Sequence, residues 1–539
     1  MQGIERRPLP RFRSRGDRGG LGIVEASEGE RHPAAEGEGM RRAWRIGVLA
    51  WWVVGSLAVA SRPRSARADL YYFAEGGAVQ LHGEAHGVNI SLETPDGTLE
   101  FLRDDFRAIV PGHWPEDEWG ARRESALAGG AESRFAAAWW ALENGLTPQA
   151  VAMTREAHAA DPRHPASARM VAALERLDRP LPDPDLGAIH RAIGGHTDES
   201  RGDHVILLHQ HGRADAAERV DLLERVVTSY YLLLAAQGIE LPAPRQRLPT
   251  AWFARRSDYL AFLDREKSTA FRATQGYYHP TLDAVFCYDA RSSDRQMAAR
   301  KTVAARRRGL AGEIDQLRSR TGDQPPRILI ETEDRRRLDR LARDCDRQEL
   351  LLEMERRSLD LGTAAHEMVH QLVSGSALAP RHDDFPTWLH EGFAAQFEVL
   401  RGGRWAGIGR AHDLRLPDWR AVQSPPRLAP LIRDIGFGHG YRRDTYAAAW
   451  ALVFYLRKAH PQQFLTFIDL LRASRLVPLS KDDRVLSAFQ SSFGEDIDGF
   501  EADWYRYMDA LRTPLEAQTL TISPFAIPPI RLAIDRITH

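Results

Sequence analysis

Thr363-Ala364-Ala365-His366-Glu367-Met368-Val369-His370-Gln371-Leu372-Val373 is the stretch that decides how the rest of the chain is read. Beyond its opening threonine only His366, Glu367, His370 and Gln371 are polar, and neither Gly nor Pro interrupts it. Such a run predicts a buried helix. Histidines at i and i+4 stand one above the other on a helix face, where their ring nitrogens can converge on one ion. Glu367 is rotated from His366 by about a quarter turn, which aims it at a water on that ion. Two core histidines on a helix would give the same pattern. A third ligand separates the two readings.

The next segment supplies a candidate. Pro386-Thr387-Trp388-Leu389-His390-Glu391-Gly392-Phe393-Ala394-Ala395-Gln396-Phe397-Glu398 opens on a proline suited to a first helical turn and spaces Trp388, Leu389, Phe393 and Phe397 as a helix does. Glu391 would complete a His2Glu set and leave a fourth zinc position open, as a catalytic site requires. H-E-x-x-H followed by W-L-x-E-G-x-A resembles the gluzincin zinc metallopeptidases (thermolysin and aminopeptidase-N-like). Leu389–Glu398 is most similar to the aminopeptidase-N-like branch and to the bacterial peptidase MA-like proteins. The resemblance covers roughly residues 200–511, including a helical ending over Phe489–Leu511. It implies a thermolysin-like zincin fold, Zn2+ as cofactor, and a peptide or protein substrate. By the same resemblance His366, His370 and Glu391 are the metal ligands and Glu367 the general base. Glu398 orients a ligand histidine, and Tyr446 binds the oxyanion, with Tyr441 as the alternative. The G-x-M-E-N signature with which aminopeptidases hold a free N-terminus is absent. Gly276-Tyr277-Tyr278 lies where it would be expected and brings no carboxylate, so endo- and exopeptidase action both stay open.

Outward from these blocks the chain reads as an α+β multidomain protein. Residues 69–112 alternate apolar and polar positions between Gly76-Gly77, Gly87 and Pro95-Asp96-Gly97, a small β unit. Residues 113–183 carry helical patterns at Arg134–Asn144 and Pro148–Ala160, like one tetratricopeptide-type hairpin. A solenoid needs about three repeats, so this hairpin is a packing element that could also meet a protein partner. Residues 184–290 form a mixed α/β lobe, with strands at His204–His209, Leu248–Phe253 and Ala284–Tyr288 and a helix at Ala216–Gln237. Residues 291–357 read as a charged helical hairpin broken near Gly322–Pro326, its charges on a solvated face. Residues 358–515 form the zinc-binding helical lobe and 516–539 a C-terminal tail.

The start of the chain is an address. Residues 1–39 lack apolar periodicity and read as disordered or as an over-extended start. Residues 40–68 join Arg41, Arg42 and Arg45 to the apolar run Ile46–Ala60 and to Ala66-Arg67-Ala68, the three parts of a signal peptide. The run is short against the roughly 20 residues of a membrane span, although an uncleaved anchor is the alternative. Either way the rest is exported, to the periplasm, the cell envelope or the medium. Lys+Arg 73 against Asp+Glu 74 gives a net charge of −1, which excludes a binder that works by neutralising nucleic-acid phosphates. Cys287 and Cys345 are too few for a disulfide scaffold and are read as packing or as one bridge. His390 is read as packing, His382-Asp383-Asp384 as a solvated turn, and Trp139, Trp140 and Trp450 as core. The expected function is an exported zinc peptidase. The rival is a zincin-fold binding or scaffold protein with little turnover.

Overall fold

The computed structural model describes residues 68–321, 330–379, 385–413, 415–422, 426–437, 443–473, 480–513 and 516. Residues 1–67, the break near Gly322–Pro326, the His382-Asp383-Asp384 turn, Tyr441 and nearly all of the C-terminal tail lie outside the described residues. No described helix is long and apolar enough to cross a membrane.

The first five strands, β1 (Ala68–Phe73), β2 (Ala78–His86), β3 (Asn89–Thr94), β4 (Gly97–Leu102) and β5 (Phe106–Val110), form an antiparallel sheet of order β4-β3-β2-β1-β5. Period-2 alternation puts Tyr71, Phe73, Phe101 and Phe106 on one face, where Leu350 and Met354 of a later helix cover them. Helices α1 (Pro115–Ala128), α2 (Ala131–Glu143), α3 (Thr147–Ala160) and α4 (Pro165–Leu177) follow, with α2 and α3 packed as an antiparallel pair. Trp139 and Trp140 are half-buried there, Trp140 stacking on Trp119 at 6.4 Å. Beyond the short α5 (Gly187–Ile193) lies the second sheet, of order β6-β7-β8-β10-β9. Its strands are β6 (Asp198–Arg201), β7 (Val205–His209), β8 (Leu248–Phe253), β9 (Gly276–His279) and β10 (Ala284–Tyr288). β7, β8 and β10 run parallel, and β6 and β9 are antiparallel edges. The parallel strands are buried throughout, as sheets covered on both faces require. The crossovers run through α6 (Arg213–Ala236) and α7 (Arg256–Arg265).

Next come α8 (Asp294–Thr321) and the 46-residue α9 (Ile330–Gly375). At about 1.5 Å per residue α9 is about 70 Å long. The boundary expected between residues 357 and 358 therefore falls inside one uninterrupted helix. The charges of this hairpin also do more than face solvent. Arg307 pairs with Glu349 at 2.7 Å and with Asp346 at 2.7 Å, which locks α8 against α9. Nearer the start of α9, Arg343 pairs at 2.6 Å with Asp105, in the turn between β4 and β5, so one helix spans from the N-terminal sheet to the lobe of residues 358–513.

That lobe contains α10 (Thr387–Ala394), the two-stranded hairpin β11 (Leu400–Arg401) and β12 (Arg404–Trp405), and α11 (Arg415–Ala421). It continues through α12 (Leu428–Ile432), α13 (Arg443–Ala459), α14 (Pro461–Ala473), α15 (Lys481–Phe493) and α16 (Ile497–Ala510). Trp388, Phe397, Trp450, Phe464 and Trp504 fill its core. Cys287 and Cys345 are both free and sit in separate apolar clusters. The bridge that sequence left open does not form.

Gly392 sets the distance between α10 and α13. A Cβ there would overlap the Ala449 carbonyl and come to 2.6 Å from Val453 Cγ2. Backbone cannot yield as a flexible side chain can, so Gly392→Ala is expected to cost about 1–3 kcal/mol, the usual penalty of overpacking. Urea unfolding of the variant measures it.

Candidate metal centre

Helix α9 buries its apolar face against β9, β10 and α6, and this fixes the direction in which His366 and His370 emerge. Their Nε2 atoms lie 3.0 Å apart. Across from them α10 presents Glu391, with Oε2 3.1 Å from His366 Nε2 and Oε1 3.7 Å from His370 Nε2. The three ligand atoms all lie within 4.8 Å of one another, and among the described residues this is the one cluster of its kind. Tetrahedral zinc bonds of about 2.0–2.1 Å would separate neighbouring ligand atoms by about 3.3 Å, close to the spacings found. The donor set therefore fits zinc.

Glu398 supports the cluster from behind. Its Oε1 is 2.6 Å from His366 Nδ1. The geometry that puts it there is not the one expected. α10 ends at Ala394, a 3-10 turn covers Ala395–Phe397, and Glu398 caps that turn, so it does not share a continuous α-helical face with Glu391. Glu398 is held in turn by Arg415, whose Nε and Nη2 each donate at 3.0 Å, and by His412 Nε2 at 3.4 Å. Neither Arg415 nor His412 was singled out from the sequence. They meet Glu398 only once the chain folds back after β12, and no local spacing announces that.

Opposite charges hold the cluster together. Burial opposes charge on His366, but contacts with Glu391 and Glu398 outweigh it and raise its pKa well above the ordinary value. Burial likewise opposes ionisation of Glu391 and Glu398. The His370 charge and the His366 hydrogen bond keep Glu391 far below the usual carboxylate range, and Arg415 and His366 do the same for Glu398. Glu367 behaves otherwise. Burial raises its pKa, and its Oε2 accepts a hydrogen bond from the Tyr278 backbone N–H at 2.8 Å. Tyr278 belongs to the sheet edge β9, in the Gly276-Tyr277-Tyr278 segment, which brings no carboxylate and contributes a main-chain donor instead.

β9 is held in place by a buried polar network beside it. Gln275 donates from Nε2 to Asp360 Oδ1 at 2.7 Å, and Asp360, on α9, also accepts from the Ala290 N–H at 2.8 Å and from Arg356 at 2.8 Å. Burial and the neighbouring Asp289 carboxylate push Asp360 up to about 7. At Asp289 burial is outweighed by His211, the Arg291 N–H, Arg356 and Arg219, which bring it down to about 2.

Of the remaining candidates, Tyr446 sits in the first turns of α13, one turn before the Ala449 carbonyl that abuts Gly392, with its ring 5.9 Å from Phe437. The His390 ring lies 5.6 Å from that of Phe385 and 6.3 Å from that of His370, and the residue lines a small apolar space with Leu389 and Phe393. Trp450 is fully buried.

Comparison with known proteins adds one finding. Residues 360–480 match a family described as a protein of unknown function, DUF1570. The match takes in His366, Glu367, His370, Glu391, Glu398 and Tyr446. No curated protein and no solved structure matches the chain.

Two outcomes follow from this geometry. Glu398→Gln leaves a neutral partner at His366 Nδ1 and is expected to weaken zinc affinity about 10- to 100-fold, read by competition with a chromogenic chelator. Asp360 carries a raised pKa, so the folded chain holds a proton that the unfolded chain has released. Its stabilising contribution is complete below the ordinary carboxylate value and is lost as pH rises to about 7. Urea unfolding between pH 4 and 8 is therefore expected to show a smaller fall in stability for Asp360→Asn than for the parent chain.

Proposed function

We propose that the chain is an exported zinc-dependent peptidase of the gluzincin type, with a thermolysin-like catalytic lobe. One observation carries this reading. Two imidazoles from α9 and one carboxylate from α10 converge with metal-site spacing, while among the described residues no fourth His, Cys, Asp or Glu joins them. A structural zinc site is closed by four protein ligands, and a catalytic one keeps a position free. The signal-peptide pattern over residues 40–68 supports export.

A zinc ion held by His366, His370 and Glu391 would acidify a water and polarise a substrate carbonyl. Glu367 stands one residue from the first ligand. The Tyr278 N–H anchors its Oε2 and leaves Oε1 to take the proton of the attacking water. Burial, by raising the Glu367 pKa, makes that carboxylate a better base and lets it pass the proton to the departing amine nitrogen. Glu398 keeps the His366 ring oriented through Nδ1, so that Nε2 stays aimed at the ion. Tyr446 would donate its phenolic proton to the developing oxyanion, with Tyr441 the alternative donor.

The purified chain and Glu367→Gln, assayed for metal and incubated with a peptide library, test this. Both are expected to hold about one zinc per chain, with cleavage about 10²–10⁴-fold lower in the variant, the scale of one general base. Tyr446→Phe is expected to lower kcat by one to three orders of magnitude, on the scale of about 10²–10³ for one oxyanion donor. The positions of the cuts read out endo- or exopeptidase action. Stoichiometric zinc with no cleavage by the parent chain would transfer the site to a binding or scaffold role.

A further inference from the structure

Behind the metal centre, where the hairpin β11–β12 meets α6, α9 and the loop ahead of α1, lies a cavity of about 320 Å³. That volume is within the range of small-ligand sites and far above the ~30 Å³ share of one water. Five arginines and three carboxylates line it. Each carboxylate is already taken. Arg357 grips both oxygens of Glu218, Arg225 Nε lies 3.0 Å from Asp221, and Arg404 lies 3.9 Å from Glu116. Arg401 and Arg410 are left over. Among the described residues neither has a carboxylate within 4.0 Å.

Arg401 is 8% exposed, and its Nη2 is buried without a hydrogen-bond partner. Arg410 donates from Nε and Nη2 to one neutral acceptor, Asn144 Oδ1. Burial pulls both guanidiniums below the usual arginine value, and at Arg410 the charge of Arg401 adds to the effect; Asp413 and Glu118 act on both through space, and Glu143 on Arg410, without offsetting burial. The backbone that carries Arg401 is held in place. Arg401 precedes Gly402 (φ +53°) and Gly403 (φ +69°), the two positive-φ positions of a tight hairpin turn, and that turn is wedged against Trp114 and the Gln80 carbonyl. A buried charge with no counter-ion in contact is destabilising, so holding two in one cavity needs a reason.

We propose that this cavity binds a small organic polyanion whose carboxylate or phosphate oxygens are held by Arg401 and Arg410. A guanidinium offers a planar fork that matches either group bidentately. The aromatic faces at the rim are already covered, Trp114 by Arg404 at 5.1 Å and Trp405 by Arg225 at 5.9 Å, so recognition rests on charge and not on stacking a ring. The site is separate from the metal centre. Arg357 is nine residues, or about 14 Å along the helix, from His366, and Arg401 follows Glu398 by three residues. It stands or falls independently of the peptidase reading.

Succinate and inorganic phosphate, both weak zinc chelators, are the probes, with sodium chloride at equal ionic strength as the control. Titration calorimetry and thermal melts of the full chain are expected to show saturable binding and a rise in Tm for at least one probe. The preferred probe identifies carboxylate or phosphate as the ligand group. Arg401→Gln is expected to weaken that binding at least 10-fold, and the variant with Arg410→Gln added to abolish it. Without anion, Arg401→Gln should melt no lower than the parent, because it removes a buried charge that no carboxylate contacts and whose desolvation outweighs the pull of Asp413 and Glu118. If the double variant does not fold, Arg401→Lys, which keeps the charge and loses the fork, must weaken binding instead. A response no larger than that to sodium chloride, binding that survives the variants, or an Arg401→Gln chain that melts lower without anion would each overturn the proposal.

Discussion

The lobe of residues 358–513 depends on one buried contact, the Glu391 carboxylate facing the His366 and His370 imidazoles across two helices. An ionised carboxylate taken out of water is costly unless a cation meets it at close range. The packing around it follows from that need. α10 must lie near enough to α9 for Glu391 to reach, and Gly392, the next residue, lets α13 press on the opposite side. Trp388 and Phe393, on the same helix, are buried in the main core and fix α10 there. Glu391 is thus positioned by its neighbours in sequence, while its charge is answered by residues more than twenty positions away.

The contact does not end at the imidazole. Arg415, Glu398, His366 and Glu391 form a line in which positive and negative groups alternate. His366 is buried and the other three side chains are mostly so, and each lowers the desolvation penalty of the next. Because Glu398 lies on a 3-10 turn, its side chain is fixed by Arg415 and His412 and not by helical regularity. The ring of His366 therefore takes its orientation from a segment beyond the hairpin β11–β12. This gives the chain after Glu398 a part in the site that its own sequence does not advertise.

What was legible in the sequence was what obeys a short period. His366, Glu367 and His370 stand on one turn of helix, and Glu391 sits within a second apolar-periodic block, so spacing alone brought the donor types to notice. Strands Leu248–Phe253 and Ala284–Tyr288 were equally plain, being β-rich runs bounded by turns. The misses share a different cause. The boundary set at residue 357 reflected a change in composition, from charged to apolar, yet backbone hydrogen bonding is indifferent to that change and the helix continues. Arg415, His412 and the Tyr278 N–H act across long loops or through the main chain, where residue type carries no signal. The Gly402-Gly403 pair between Leu400-Arg401 and Arg404-Trp405 was a readable hairpin mark that went unused.

The same accounting of charge separates the two sites. At the candidate metal centre carboxylates converge on two imidazoles, with Arg415 neutralising the rear carboxylate from outside. A few residues farther along the same backbone the sign reverses. Among the described residues Arg401 and Arg410 touch no carboxylate, and Arg457 is buried with hydrogen bonds to Gln396 Oε1 and the Ile408 carbonyl, its pKa drawn down by burial to about 10 against the pull of Glu143. A chain with a net charge of −1 has acidic side chains enough to pair these arginines. That they are left instead around a sealed hairpin and an open volume argues that the missing negative charge is meant to arrive from solution.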